Sequence, residues 1–175
     1  MKNTYILLLL MLFAISAKSQ ETRYIGSAQK LMPYVGTWRY TNGQEVFEFT
    51  FNNPVQESET WNNITWISTS IEGFHTYKNS SGILIENPAI MVYQGVNYYT
   101  VRAGIVNLAK GLDIGFTDIT KGKGGKAYLK FLPNSTTQAI WTLNEYEGLK
   151  SGPTGSVYPL GWSVPTGPIT MTKVN

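Results

Sequence analysis

Residues 35–43, VGTWRYTNG, followed by residues 44–51, QEVFEFTF, decide the fold class of this chain. Asn42-Gly43 favours a type I′ turn, because both central residues of that turn take positive φ angles. In the second run, phenylalanine occupies every other position from Phe47 to Phe51. This period of two predicts a strand with one buried and one wet face, joined by a tight turn to the strand before it.

The rest of the chain continues this β-type pattern. Short runs are separated by Gly, Asn, Pro and Ser, and beyond one helical turn at 27–31 there is no convincing amphipathic helix. The further runs are 66–77, 83–93, 97–106, 112–119, 126–132, 138–146 and 169–174, and the last is placed to pair beside the first. We predict an all-β fold, an antiparallel up-and-down β-barrel of about eight to ten strands with little helix, with a two-layer sandwich as the alternative.

The N-terminal residues have the composition of a secretory signal peptide. Lys2 supplies a positive start, residues 6–15 are uninterrupted apolar residues, and Ala17-Lys18-Ser19 offers small residues for cleavage. A transmembrane anchor is the alternative, but ten helical residues span only about 15 Å, roughly half of a bilayer core. We therefore expect a leader at 1–19, no transmembrane anchor and export to the periplasm or the extracellular space. A lead-in at 20–33 and a single barrel domain at 34–175 would follow.

The composition excludes several kinds of chemistry. The chain has no cysteine, which rules out disulfides, thiol nucleophiles and cysteine metal sites. The formal net charge of +3 falls to +1 in the mature chain, because Lys2 and Lys18 leave with the leader and no acid does (14 − 2 basic against 11 acidic residues). The dense basic patch at 121–126 has no interleaved aromatic residues, unlike a nucleic-acid-binding surface. We expect no nucleic-acid partner.

Catalytic and metal-binding constellations are sparse. His75 is the only histidine, and no Gly-x-Ser-x-Gly nucleophile elbow accompanies it. One histidine without cysteine is a poor basis for a zinc or copper site. Two glutamate pairs, Glu57/Glu59 and Glu145/Glu147, are spaced to share a face, as a glycosidase would need, but polar strand faces carry such pairs routinely. We expect no metal, no cofactor and no enzymatic activity, and rank an extracellular hydrolase last.

Gly36 and Trp38 stand at the head of the first long strand. This Gly-x-Trp start resembles that of the calycin superfamily, which includes lipocalins, fatty-acid-binding proteins and avidin. The resemblance implies a barrel whose tryptophan plugs the closed end against a cationic side chain, here either Arg102 or Lys173. The immediate turn at Asn42-Gly43 departs from fatty-acid-binding proteins, which have a helix-turn-helix there, and the long C-terminal helix of lipocalins is missing.

Taken whole, the chain resembles a family of small secreted proteins of Bacteroidetes-type bacteria that have a lipocalin-like domain and no assigned function. The resemblance runs from Ser19-Gln20 to the C-terminal end, where Trp162, Pro165 and Lys173 stand. It implies an exported protein and supplies no catalytic residue.

Aromatic residues give the strongest hint of a function. Five Trp and eleven Tyr are many for this length, and some should reach a cavity or solvent instead of filling the core. Aromatic rings line apolar pockets and stack on sugar rings. The first hypothesis is a non-enzymatic lipocalin-like module that binds a small apolar or amphipathic ligand. The alternative is a carbohydrate-binding or protein-interaction β-domain at the cell surface that uses exposed Trp and Tyr. Candidate ligand-lining residues are Trp66, Tyr99, Phe47, Phe49, Trp141 and Trp162. The oligomeric state stays open.

Overall fold

A computed structural model of the chain describes residues 21–87, 92–93, 96–145 and 160–174. The predicted leader and Glu147 lie outside these ranges. The strands are β1 Glu21–Ile25, β2 Gly36–Asn42, β3 Glu45–Phe51, β4 Val55–Trp61, β5 Ile64–Lys78, β6 Leu84–Glu86, β7 Val92–Tyr93, β8 Val96–Asn97, β9 Val101–Asn107, β10 Gly111–Asp118, β11 Lys123–Phe131, β12 Gln138–Glu145 and β13 Ile169–Val174. A one-turn helix α1, Ala28–Leu31, and a 3-10 turn, Met32–Tyr34, join β1 to β2. No helix within the described ranges is long and apolar enough to cross a membrane.

Eight strands close into an antiparallel barrel. Their order is β5–β3–β2–β13–β12–β11–β10–β9, and β9 returns to pair with β5 through Ile71↔Ala103 and Gly73↔Val101. A closed circuit of pairings excludes the two-layer sandwich, which needs two separate sheets. The prediction of an all-β barrel is confirmed, and the architecture is consistent with a lipocalin-like fold.

The first hairpin forms where its sequence predicts it, but its turn is not the predicted type I′ turn. Asn42 is the last residue of β2, stands opposite Glu45 and has no positive φ angle. The two-residue loop is Gly43-Gln44, and only Gly43, at the first loop position, takes a positive φ angle, 62°, as in a type II′ turn.

Trp38 stands opposite Phe49 in the register, so both side chains point to the same side of the sheet. That side is the barrel interior, where Phe47, Phe49 and Phe51 expose at most 1% of their surface.

A three-stranded extension, which we call the wing, projects from the barrel. It consists of β1, β4 and residues 64–70 of β5, the first half of a 15-residue strand. β4 pairs with this half in antiparallel fashion and β1 pairs with it in parallel. Residues 71–78 of β5 belong to the barrel wall. Every residue of β1 and β4 is exposed.

The two outer wing strands were not evident in the sequence. Residues 21–25 fell in the predicted lead-in, and residues 55–61 fell between predicted strands. Both segments pack against no core, so their sequences lack the apolar alternation that marks a half-buried strand. Backbone pairing with β5 alone makes them strands.

Candidate functional site

Trp38 lies at one end of the barrel, which we call the closed end. Its side chain is fully buried, and its indole Nε1 donates a hydrogen bond to the carbonyl oxygen of Tyr34 at 2.9 Å. Lys173 stands opposite Trp38 in the register between β13 and β2. Its Nζ lies 5.8 Å from the centre of the Trp38 ring and donates to the carbonyl oxygen of Pro33 at 2.9 Å. The cation beside Trp38 is therefore Lys173, and Lys173 also ties down the 3-10 turn at this end.

Arg102, the other candidate for that position, lies elsewhere. Its neighbours Val101 and Ala103 are buried, so the alternation of β9 turns Arg102 to the outside of the barrel. There its Nη2 lies 2.8 Å from Glu57 of the wing, and its Nε lies 2.8 Å from Glu72 at the barrel wall. Arg102 thus links the wing to the barrel and is not part of the plug.

Three of the expected ligand-lining residues are core residues instead. Phe47, Phe49 and Trp141 expose at most 1% of their surface. The ring of Trp141 lies 5.2 Å from each of the two phenylalanine rings and 5.7 Å from that of Phe116. A side chain that lines a cavity keeps part of its surface free, and these side chains do not. This part of the barrel interior is filled by aromatic packing.

Trp162 and Tyr99, two further candidates, are far less buried and belong to different surroundings. Trp162 is half-buried, with its ring 6.1 Å from that of Phe116 and 4.2 Å from Nζ of Lys123. Its ring packs so closely on Gly125 that a Cβ atom there would overlap it. Tyr99 is 38% exposed and packs on Phe74 at 5.3 Å between ring centres. Trp162 thus extends the aromatic packing of Phe47, Phe49 and Trp141 through Phe116, whereas Tyr99 lies apart from that packing.

A buried polar cluster lies at the opposite end of the barrel, which we call the open end. His75 of β5 bonds through Nδ1 to the hydroxyl of Thr100 at 2.8 Å and through Nε2 to the carboxylate of Glu86 at 2.7 Å. Glu86 in turn interacts with the neighbouring carboxyl group of Asp118. All four residues expose 2% or less of their surface. This cluster could not be predicted from the sequence, because its members come from four separate segments.

The two carboxylates of the cluster also accept hydrogen bonds from backbone N–H groups of neighbouring loops. Glu86 accepts hydrogen bonds from the backbone N–H groups of Ile119 and Thr120, at 3.2 and 2.9 Å. Asp118 accepts from the backbone N–H groups of Lys121 and Ser163, at 2.8 and 2.6 Å. The carboxylates thereby tie β6 and the segment around Trp162 to the barrel rim. The hydroxyl–imidazole–carboxylate order of Thr100, His75 and Glu86 resembles a catalytic triad, but the hydroxyl is buried, so the geometry favours a structural lock.

The two carboxyl groups have pKa values shifted in opposite directions. Burial alone would raise the pKa of Glu86, but hydrogen bonds from His75, Asp118 and Thr120 outweigh it and lower the pKa to about 2. Burial is the main cause that raises the pKa of Asp118, and the neighbouring Glu86 adds to it. Asp118 is therefore the group that holds the proton when the two carboxyls share one.

The Asp118→Asn variant should change the pH dependence of stability. Because the folded-state pKa of Asp118 is raised above its ordinary 3.8, the wild type should lose stability as the pH rises from about 4 through the folded pKa. Asparagine cannot ionise, so the variant should lack this decline. The free energy of unfolding of Asp118→Asn should also be about 1 kcal/mol lower at pH 4, because one backbone N–H loses its carboxylate acceptor. Urea unfolding between pH 4 and pH 8 measures both effects. If the free energies of unfolding of the wild type and Asp118→Asn differ by the same amount at every pH in this range, the raised pKa of Asp118 is contradicted.

The outer face of the wing carries two tryptophans, of which Trp61 is exposed and Trp66 is half-buried. Trp61 of β4 is 69% exposed and stands opposite Ile64 in the register. Trp66 lies two residues further along β5, opposite Glu59, and Arg23 of β1 lies with its guanidinium 5.1 Å from the Trp66 ring centre. Diagonal neighbours of this kind are about 7–8 Å apart. Trp66 was predicted from the sequence to line a ligand site. Trp61 was not, because the sequence around it did not predict a strand.

Of the two predicted glutamate pairs, Glu57/Glu59 is the one whose side chains are described. Glu57 and Glu59 do share the outer face of the wing, but Glu57 is engaged by Arg102. Nothing is described of the Glu145 side chain. No group of three His, Asp or Glu residues among those described is placed to hold a metal ion.

Residues 1–174 match the model of a family of unknown function, DUF6705. Because the match covers nearly the whole chain, this protein belongs to that family. No curated protein and no solved structure gives a significant match. Membership of the calycin superfamily and an origin in Bacteroidetes stay predictions.

Proposed function

We propose that this protein is an exported, non-enzymatic binding module that recognises its ligand on the outer face of the wing and uses the barrel as a scaffold. The observation that carries the proposal is the contrast between two sets of aromatic residues. The rings of Phe47, Phe49 and Trp141 are packed against one another inside the barrel, whereas Trp61 is 69% exposed beside Trp66.

The structure of the wing supports this role. A Trp at an exposed strand position lowers the solubility of the protein and adds no packing to the core. Such residues are enriched where proteins bind their partners. The wing is also joined to the barrel at two points: β5 is continuous through both, and Arg102 bridges Glu57 to Glu72.

The first sequence hypothesis, an apolar ligand inside the barrel, has weaker support. It needs free interior surface, and three of its proposed lining residues have none. Export rests on the leader at 1–19, and its direct check is a mature protein that begins at Gln20 in the periplasm or the medium.

Trp61→Ala should weaken binding to the cell envelope. The purified wild-type protein is expected to co-sediment with the envelope fraction of the source organism, and the variant should bind about tenfold more weakly, the effect of removing an exposed aromatic anchor. The control is Leu108→Ala, since Leu108 is fully exposed in the turn between β9 and β10 and lies off the wing. Equal co-sedimentation of the wild type and Trp61→Ala would refute the wing as the binding element. Saturable binding of a fatty acid that is unchanged by Trp61→Ala would favour the barrel hypothesis instead.

A further inference from the structure

We infer that the ligand of the wing is a neutral glycan, held between the indole of Trp61 and the carboxylate of Glu59. This inference rests on the proposed function, and it adds the chemical class of the ligand and the group that discriminates it. Its support comes from the arrangement of donors, acceptors and charges on the outer face.

The two faces of the wing differ in what they offer a ligand. The inner face, which continues the barrel interior, carries Tyr24, which is 72% exposed. Polar side chains of this face already bond to one another: Thr60 to Thr65 at 2.9 Å, and Gln56 to Thr69 at 3.3 Å. The outer face has an exposed indole at Trp61, next to the half-buried Ile64. A flat apolar ring beside free polar groups matches a pyranose, which has a C–H face and a rim of hydroxyls.

Charged side chains surround this indole. Glu59 precedes Trp61 by two residues on β4, so the two side chains share the outer face. Arg23 lies across from them, bonded to Glu21 at 2.7 Å and placed over Trp66. Glu59 has no hydrogen-bond or ion-pair partner among the described residues, so its carboxylate is free to accept from sugar hydroxyls. The Arg23 guanidinium, fixed by Glu21 and Trp66, supplies remaining N–H donors at the other edge.

The charge balance selects against anionic ligands. The outer face and its junction with the barrel hold four carboxylates, Glu21, Glu57, Glu59 and Glu72, and two guanidiniums, Arg23 and Arg102. Both guanidiniums are engaged by carboxylates of this set. The uncompensated charge is negative and includes the free Glu59, so a uronate or sulfated sugar would meet repulsion.

A protein partner fits this face less well. The centres of protein–protein interfaces are depleted of charged residues. Here Glu59 and Arg23 lie directly beside Trp61, Ile64 and Trp66, so charged residues border this small apolar strip on both sides. Removal of a free carboxylate from water would cost affinity unless the ligand brought several donors to it, as a polyhydroxylated sugar does.

Native gel electrophoresis through gels that contain a soluble polysaccharide tests the inference. The neutral polymers are chains built from glucose, mannose, galactose, xylose or N-acetylglucosamine. The charged polymers are anionic polyuronate and sulfated chains and a basic polypeptide. At least one neutral polymer should retard the wild type and the Leu108→Ala control, with little dependence on salt. Trp61→Ala should bind this polymer about tenfold more weakly, and Glu59→Gln about threefold more weakly. Glu59→Gln should at the same time bind anionic chains better than the wild type does.

Each other outcome overturns the inference in a recognisable way. Retardation by no neutral polymer, or by anionic chains or the basic polypeptide alone, refutes a neutral glycan. If envelope binding is still lost in Trp61→Ala, the wing remains the binding element for another ligand. If Trp61→Ala and the wild type are retarded equally and also bind the envelope equally, both the inference and the proposed function fail. Unchanged thermal unfolding of the variants shows that their exposed substitutions leave the fold intact.

Discussion

The Glu86→Ala variant should lose about 3–5 kcal/mol of the free energy of unfolding at neutral pH, because several donors lose one shared acceptor and each unsatisfied buried donor costs about 1–3 kcal/mol. Without this carboxylate, His75 and the backbone N–H groups of Ile119 and Thr120 lose an acceptor inside the protein. Asp118 loses its carboxyl partner as well. Urea unfolding at neutral pH, followed by circular dichroism, measures the loss.

The pH dependence of this loss identifies its cause. The folded-state pKa of Glu86 is lowered from 4.5 to about 2, so its contribution is present above pH 4.5 and is lost as the pH falls towards 2. The difference between the wild type and Glu86→Ala should therefore narrow over that range. Glu59→Ala is the matched control, since Glu59 is exposed and should change stability by no more than about 0.5 kcal/mol. A difference that stays constant down to pH 2 would mean that lost packing, and not the carboxylate, explains the effect.

Gly73→Ala should lower the free energy of unfolding by about 3 kcal/mol, at the upper end of what one overpacked carbon costs. Gly73 lies where β5 pairs with β3 on one side and with β9 on the other, opposite Phe51 and Val101. A Cβ atom there would overlap the backbone carbonyl of Thr50. A backbone group cannot rotate away as a side chain can, so the variant must separate β3 from β5 at the point where the barrel closes. The midpoint of urea unfolding measures the effect.

Gly115→Ala is the control for this substitution. Gly115 also lies within a barrel strand, but a Cβ atom there would meet only the carbonyl oxygen of Arg102, at an ordinary contact distance of 3.6 Å. Alanine should be neutral or slightly stabilising at this position, because it lowers the entropy of the unfolded chain. Equal unfolding midpoints for the two variants would show that the close approach at Gly73 is not strained by a methyl group.

The barrel strands were predictable where one face is buried. The turn at Asn42-Gly43 and the alternating phenylalanines of β3 predict both the hairpin and its inward face, because turn chemistry and the period of two are local properties. The wing strands were not predictable in the same way. Val55–Trp61 is exposed throughout, and only its pairing with β5 makes it a strand.

The site residues show the same difference between what the local sequence predicts and what strand pairing decides. The sequence pointed to Trp38 as a plug but left Arg102 and Lys173 as equal candidates for its cation. The register of β13 against β2 places Lys173 opposite Trp38, whereas the alternation of β9 turns Arg102 outward. Neither the exposure of Trp61 nor the burial of Trp141 could be predicted from the sequence, because both are large aromatic residues and the segment of Trp61 lacks the apolar alternation that marks a half-buried strand.

The sequence by itself determined the all-β class, the first hairpin, the cysteine-free chemistry and the expectation of a leader, because each depends on residues close together in the chain. Tertiary structure alone decided which aromatic rings fill the barrel and which face water. It also joined His75, Glu86, Thr100 and Asp118 into one buried cluster. The physical reason is closure: when β9 pairs with β5, each side chain is assigned to the inside or the outside, and segments distant in sequence meet at the barrel ends.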